Sequence, residues 1–165
     1  MDLLKMEADV LDYCQVMGWY DTDVSFMTAM ALLHEEAAEA GSAWRKHGLE
    51  DMTEELRGYQ HGLPKPEGVG SEFADVLIRA LDDGTRFGLA LPLHVRTRGG
   101  VFGLHEEFLD NINVLHGLIA RTSMAWDGGD DFFYKPAGCL ADVVRFTMQL
   151  AEHYGIDLVC PQNAI

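Results

Sequence analysis

Two stretches of the 165-residue chain resemble each other: KPEGVGSEFADVLIRALDDGTRFGLAL (65–91) and KPAGCLADVVRFTMQLAEHYGIDL (135–158). With three residues removed from the first, Lys-Pro, Gly, Ala-Asp-Val, a late Gly and a final Leu fall in register. Upstream, His34-Glu35-Glu36 matches His105-Glu106-Glu107, and Glu39 matches Asp110. Self-similarity of this kind marks one structural unit used twice, whose copies bury their apolar faces on each other. The apolar spacing makes that unit helical. Leu3, Met6, Val10, Tyr13 and Met17 recur at 3-4-3-4 intervals, and Phe26, Met30, Leu33, Ala37, Ala40 and Trp44 form a second stripe.

The boundaries follow from local signals. The first helix should end near Gly18, and the second should run from a cap among Asp21–Asp23 to His47, with Gly48 as its stop. A short helix is expected over 50–57, then a turn-rich break over 61–70. Ser71 is a candidate N-cap for a helix reaching Phe87, closed by Gly88. Further helices are expected near 101–124 and 138–154, and no segment shows β alternation. The expected fold is all-α, a single domain over 1–165. It is a helical bundle of two diverged helix–loop–helix repeats, about 22–91 and 101–158, packed as a tandem pseudo-dimer.

Composition narrows the function. A formal charge of −15 with no basic stripe argues against binding a nucleic-acid backbone. Three cysteines without CxxC spacing argue against a disulfide framework or a thiolate zinc site, so a reducing, cytoplasmic setting is expected. The N-terminus lacks a signal-peptide pattern, and no apolar run is long enough to span a membrane.

The acids carry the chemistry. Glu36-Ala-Ala-Glu39 places two carboxylates on one side of a helix, flanking its apolar stripe, while Glu35 points away to solvent. Glu72-Phe-Ala-Asp75 repeats that spacing at the start of the next long helix. In antiparallel helices the two pairs can face one another, and four oxygen donors suit a hard cation, Mg²⁺ or Mn²⁺. The plain alternative is a solvated helix face. With 27 acids in 165 residues, acid-x-x-acid arises roughly four times by chance, and Asp75–Arg79 and Asp82–Arg86 have ordinary i+4 ion-pair spacing. A di-iron centre of the bundle type needs Glu-x-x-His, and no histidine here has Glu three residues before it.

HEEAAEA (34–40) followed by SEFADV (71–76) resembles the E-E-x-x-E … E-x-x-D signature of the MazG-like, all-α nucleotide pyrophosphohydrolases. That resemblance covers about residues 26–91 and reaches the second half only through the internal repeat. It implies hydrolysis of a nucleoside triphosphate to monophosphate and pyrophosphate, with dUTP or a modified dNTP as candidate substrates. It also implies Mg²⁺ on Glu36, Glu39, Glu72 and Asp75, with Glu39 and Glu36 serving catalysis. Two departures stand out. The gap from Glu39 to Glu72 is long, and Cys139 aligns with Glu72 in the second copy, where Glu106, Glu107, Asp110 and Asp142 remain. One working site per chain is therefore expected, in a protein that is monomeric or a homo-oligomer.

Other residues have two readings. Arg45 and Lys46 either meet phosphates or complement the end of their helix. Arg79 either reaches phosphate or pairs with Asp75. Trp19, Tyr20 and Trp126 either stack a base or anchor packing, Trp44 reads as core, and Asn111 and Asn113 either read a base edge or bond within the bundle. His34 and His105 read as structural or exposed. The competing function is a non-catalytic acidic helical module, or DNA mimic, that binds a basic protein. It would spread its acids over a broad face, whereas an enzyme brings them to one spot.

Overall fold

The computed structural model describes residues 3–48, 56–60, 63–93, 102–129 and 134–158. Five helices, α1 (Leu3–Val16), α2 (Phe26–His47), α3 (Val69–Arg86), α4 (Phe108–Asp127) and α5 (Pro136–His153), account for most of them. The core is thus all-helical, as the apolar periodicity predicts. Helix α2 packs on α3 and α4 on α5, and the two hairpins join through α2–α4 and α3–α5 contacts, with α1 laid against α3.

Several boundaries differ from those read in the sequence. The cap of α2 is Ser25, whose Oγ accepts a hydrogen bond from Thr28 N (3.1 Å), and not one of the preceding aspartates. Helix α3 starts at Val69 behind Gly68 (φ 117°), ahead of the expected cap at Ser71. Helix α4 starts at Phe108, so Glu106 and Glu107 precede it. On α1, Met6, Val10 and Cys14 are buried while Tyr13 and Met17 are exposed, so the true stripe lies beside the expected one.

A further departure lies between α2 and α3. Strand β1 (Leu56–Gln60) pairs antiparallel with β2 (Leu63–Glu67), where a short helix and a turn-rich break were expected. Residues 50–55 of that expected helix lie outside the described residues. Pro64 and Pro66 disguise the second strand, since proline lacks a ladder donor. Two apart, both fall on one edge, where an antiparallel pair tolerates them.

The two hairpins correspond closely. Helices α3 and α5 each contain 18 residues. They also end identically: Phe87, Gly88 and Leu89 bond back to Asp83, Thr85 and Gly84, while Tyr154, Gly155 and Ile156 bond back to Leu150, Glu152 and Ala151. Gly88 (φ 65°) and Gly155 (φ 68°) supply the left-handed residue that ends each helix. Helices α2 and α4 run antiparallel. Phe26 stacks on Trp126 (centroids 4.0 Å apart), Phe108 stacks on Trp44 (5.5 Å), and His34 Nδ1 meets His116 Nδ1 at 2.8 Å between them. These contacts equate Phe26 with Phe108, His34 with His116, and Trp44 with Trp126. The sequence alignment of His34 with His105 is therefore out of register. Lys65-Pro66 and Lys135-Pro136 are also not equivalent, since Pro66 lies in β2 and Pro136 opens α5.

The hairpins share one core. Leu33, Phe73, Leu81, Leu115, Ile119, Leu140, Phe146 and Leu150 are fully buried. Burying each such side chain contributes about 1.5–3 kcal/mol. Gly41 faces Leu109 and Ile112 of α4, and a Cβ there would meet them at 3.5 and 3.6 Å, ordinary van der Waals contact.

Candidate metal centre

Antiparallel packing of α2 on α3 brings Glu36, Glu39 and Glu72 together, with one carboxylate oxygen of each within 4.8 Å of the others. Glu36 and Glu39 lie one turn apart on α2, and Glu72 lies in the first turn of α3, where the helix dipole favours negative charge. Glu36 and Glu72 are buried while Glu39 is exposed, so the cluster has a closed side and a solvent side. Two carboxylates about 5 Å apart repel by about 3 kcal/mol at an effective dielectric near 20. A cation among the three converts that repulsion into attraction.

Arg79 is the cation at hand. Its Nε lies 2.5 Å from Glu36 Oε1, and its guanidinium sits over the Trp19 ring at 5.1 Å. Arg79 thus makes a bond across the hairpin, beyond the Asp75 partner that its i+4 spacing suggests. Glu36, Glu39, Glu72 and Arg79 together carry a net negative charge. The donor set fits a hard divalent ion. Ligands on an octahedral Mg²⁺ at about 2.1 Å lie about 3–4 Å apart, only slightly closer than these oxygens.

Asp75, the fourth expected ligand, stands outside the group of three, one turn further along α3. There its charge adds to burial in raising the Tyr13 pKa. Arg45 and Lys46 are exposed in the last turn of α2, and Glu35 is exposed as expected. Asn111 leaves the substrate-binding set. It is fully buried, its amide oxygen accepts from His105 N (2.9 Å), and its amide nitrogen donates to His105 O (3.0 Å) and lies 2.8 Å from Tyr154 Oη. Asn113 is exposed. Trp126 stacks on Phe26, and Tyr20 donates to Asp82 (2.8 Å), so both serve packing.

The Asp82–Arg86 pair expected from i+4 spacing forms, but within a polar cluster between α1 and α3 that sequence reading missed. Asp82 accepts from Tyr20 and pairs with Arg86 (3.5 Å), whose Nη2 donates to Trp19 O (2.6 Å). Burial, then the Asp82 charge, push the Cys14 thiol up to about 12. Neighbouring Asp83 is buried, and burial and then Asp82 raise its carboxyl to about 7 against the pull of Arg79 and Arg86. Consecutive Asp82-Asp83 was the available signal, since adjacent acids do not both reach solvent on a helix packed by three others.

In the second hairpin, Glu106, Glu107 and Asp110 are exposed and apart from any such group. The α2–α4 contacts match Glu36 and Glu39 with Leu118 and Arg121, and the helix ends match Glu72 and Asp75 with Cys139 and Asp142. No family model, curated protein or solved structure matches the chain. No described helix is long and apolar enough to cross a membrane.

Proposed function

We propose that the protein is a Mg²⁺-dependent nucleoside triphosphate pyrophosphohydrolase of the MazG-like kind, a tandem pseudo-dimer with one working site, in its first hairpin. The observation that carries this reading is the approach of Glu36, Glu39 and Glu72 from two helices to within 4.8 Å. Convergence favours catalysis over the acidic interaction module, which would spread its acids.

Glu36 and Glu72, on the buried side, would hold the ion, with Asp75 a turn away as a further oxygen donor. Mg²⁺ there would supply charge neutralisation for the triphosphate and acidity for a bound water. Glu39, on the solvent side, would take the proton from the water that attacks the α-phosphorus. Arg79 would turn from Glu36 to a phosphate oxygen, which suits its planar donor fork. Arg45 and Lys46, about two turns beyond Glu39, face the β- and γ-phosphates in this reading. The products are a nucleoside monophosphate and pyrophosphate, and the role is removal of dUTP or a modified dNTP in the cytoplasm.

The test is product analysis on a panel of canonical and modified nucleoside triphosphates with Mg²⁺ or Mn²⁺. Monophosphate and pyrophosphate should appear in equal amounts. Glu39→Gln should lose about 10²–10⁴-fold in turnover, while Asp142→Asn should keep most of it. Absence of turnover on every nucleotide, with no metal-dependent rise in melting temperature, would favour the acidic module.

A further inference from the structure

We propose that the second hairpin carries a binding site for a phosphate group, formed by Arg121 and Arg145 around Asp142. Arg121 Nη2 lies 2.8 Å from Asp142 Oδ2, and Arg145 Nη2 lies 3.5 Å from Asp142 Oδ1. Arg145 Nη1 also lies 3.5 Å from Pro92 O, and the Arg121 guanidinium sits over the Tyr134 ring at 5.1 Å. Among the described residues, two guanidiniums thus share one carboxylate, a net positive set in a chain of net charge −15.

Donors and acceptor are both incompletely used among the described residues: Asp142 Oδ1 is buried without a hydrogen bond, and so are two arginine N–H groups. Each guanidinium carries a fork of N–H groups, while Asp142 and one carbonyl take only part of them. Arg121 Nε and Arg145 Nε are buried with no acceptor among the described residues. A network serving structure alone would be expected to balance its charge and satisfy its donors. The side chains are nevertheless reachable, Arg121 at 30% and Arg145 at 18% exposure.

Position supports the assignment. Arg121 stands where the first hairpin has Glu39, Cys139 where it has Glu72, and Leu118 where it has Glu36. The carboxylate position of Glu39 is thus an arginine in the second hairpin, and Arg145, which corresponds to Ile78, adds a second guanidinium beside it. Planar forks bind phosphate oxygens two at a time, which makes a phosphate group the fitting ligand.

The site requires no metal, so its test is separate from that of the hydrolase reading. Metal-free protein in EDTA is titrated calorimetrically with inorganic phosphate and, in a second arm, with a nucleoside monophosphate. Saturable binding is expected, at least tenfold weaker in Arg121→Gln and Arg145→Gln and unchanged in Asp110→Asn, at an exposed residue outside both sites. Phosphate binding in the first arm identifies a free-anion site; binding confined to the second identifies a nucleotide phosphate. If either glutamine variant melts early, Arg121→Lys carries the test, because it keeps the charge but loses the fork and should still bind severalfold more weakly. Absence of binding in both arms, or binding that survives the arginine substitutions unchanged, would overturn the proposal.

Discussion

Replacing Asp83 with asparagine should stabilise the protein, and more so at pH 8 than at pH 5. Asp83 is 6% exposed on α3, and its carboxyl rises from an ordinary 3.8 to about 7 in the folded state. Burial is the main cause, followed by the Asp82 charge, while Arg79 and Arg86 pull the other way. Folding therefore strengthens proton binding, and the sign follows. Below about 4 the group is protonated in both states, and between there and pH 7 the unfolded chain alone gives up the proton, so stability falls as pH rises. Above pH 7 the buried charge costs about 4 kcal/mol, and most of that cost is already relieved at pH 5. Asparagine carries no charge but keeps a polar group to bury, so a gain on the order of 2–3 kcal/mol is expected at pH 8. For a protein of this size that is about 5–10 °C in melting temperature. Thermal unfolding of both proteins at pH 5 and pH 8 measures it. An equal shift at both pH values, or a lower melting temperature for the variant at pH 8, would refute this reasoning.

The His34–His116 contact should give the opposite dependence. Burial lowers both histidines, and His116 also acts on His34, so below about pH 6.5 the unfolded chain takes up protons that the folded one resists. Stability should fall with pH in that range, and His34→Phe should flatten the slope in a series of denaturant titrations. Gly84→Ala should destabilise, since the new Cβ would lie 2.8 Å from Leu91 Cδ1 and 2.9 Å from its Cγ. Overpacking of this kind costs about 1–3 kcal/mol, readable as a lower denaturation midpoint at unchanged slope. The corresponding residue of α5 is Ala151, so Ala151→Gly should show a different, cavity-like loss.

The helices were legible because their apolar spacing is regular and their ends carry glycines that no other residue replaces cheaply. Gly48 and Gly88 mark α2 and α3 as read. The ribbon was not legible: prolines at 64 and 66 mask a strand, and five-residue strands show too little alternation to register. The likeness between the two hairpins was visible in α3 and α5, whose closing hydrogen bonds match. Between α2 and α4 it was misaligned, because His-Glu-Glu recurs by composition while the true equivalents, Phe26/Phe108 and Trp44/Trp126, are aromatic and meet only across the bundle. Three of the four acids expected at the site come together because i, i+3 spacing fixes Glu36 beside Glu39 and helix packing sets Glu72 opposite. Arg79 was read through its i+4 spacing from Asp75; its bond to Glu36 on the facing helix is a long-range contact that spacing along one helix does not contain. Arg121 drew no notice for the same reason.

Titration of the metal-free protein with Mn²⁺, followed by the loss of the free-ion electron paramagnetic resonance signal, tests most directly whether the three carboxylates form a cation site. Tight binding is expected in the wild type, with Glu36→Gln and Glu72→Gln each weakening it at least tenfold and Asp110→Asn leaving it intact. Mn²⁺ binding that is absent, or that survives both glutamine substitutions unchanged, would contradict the site and the hydrolase built on it.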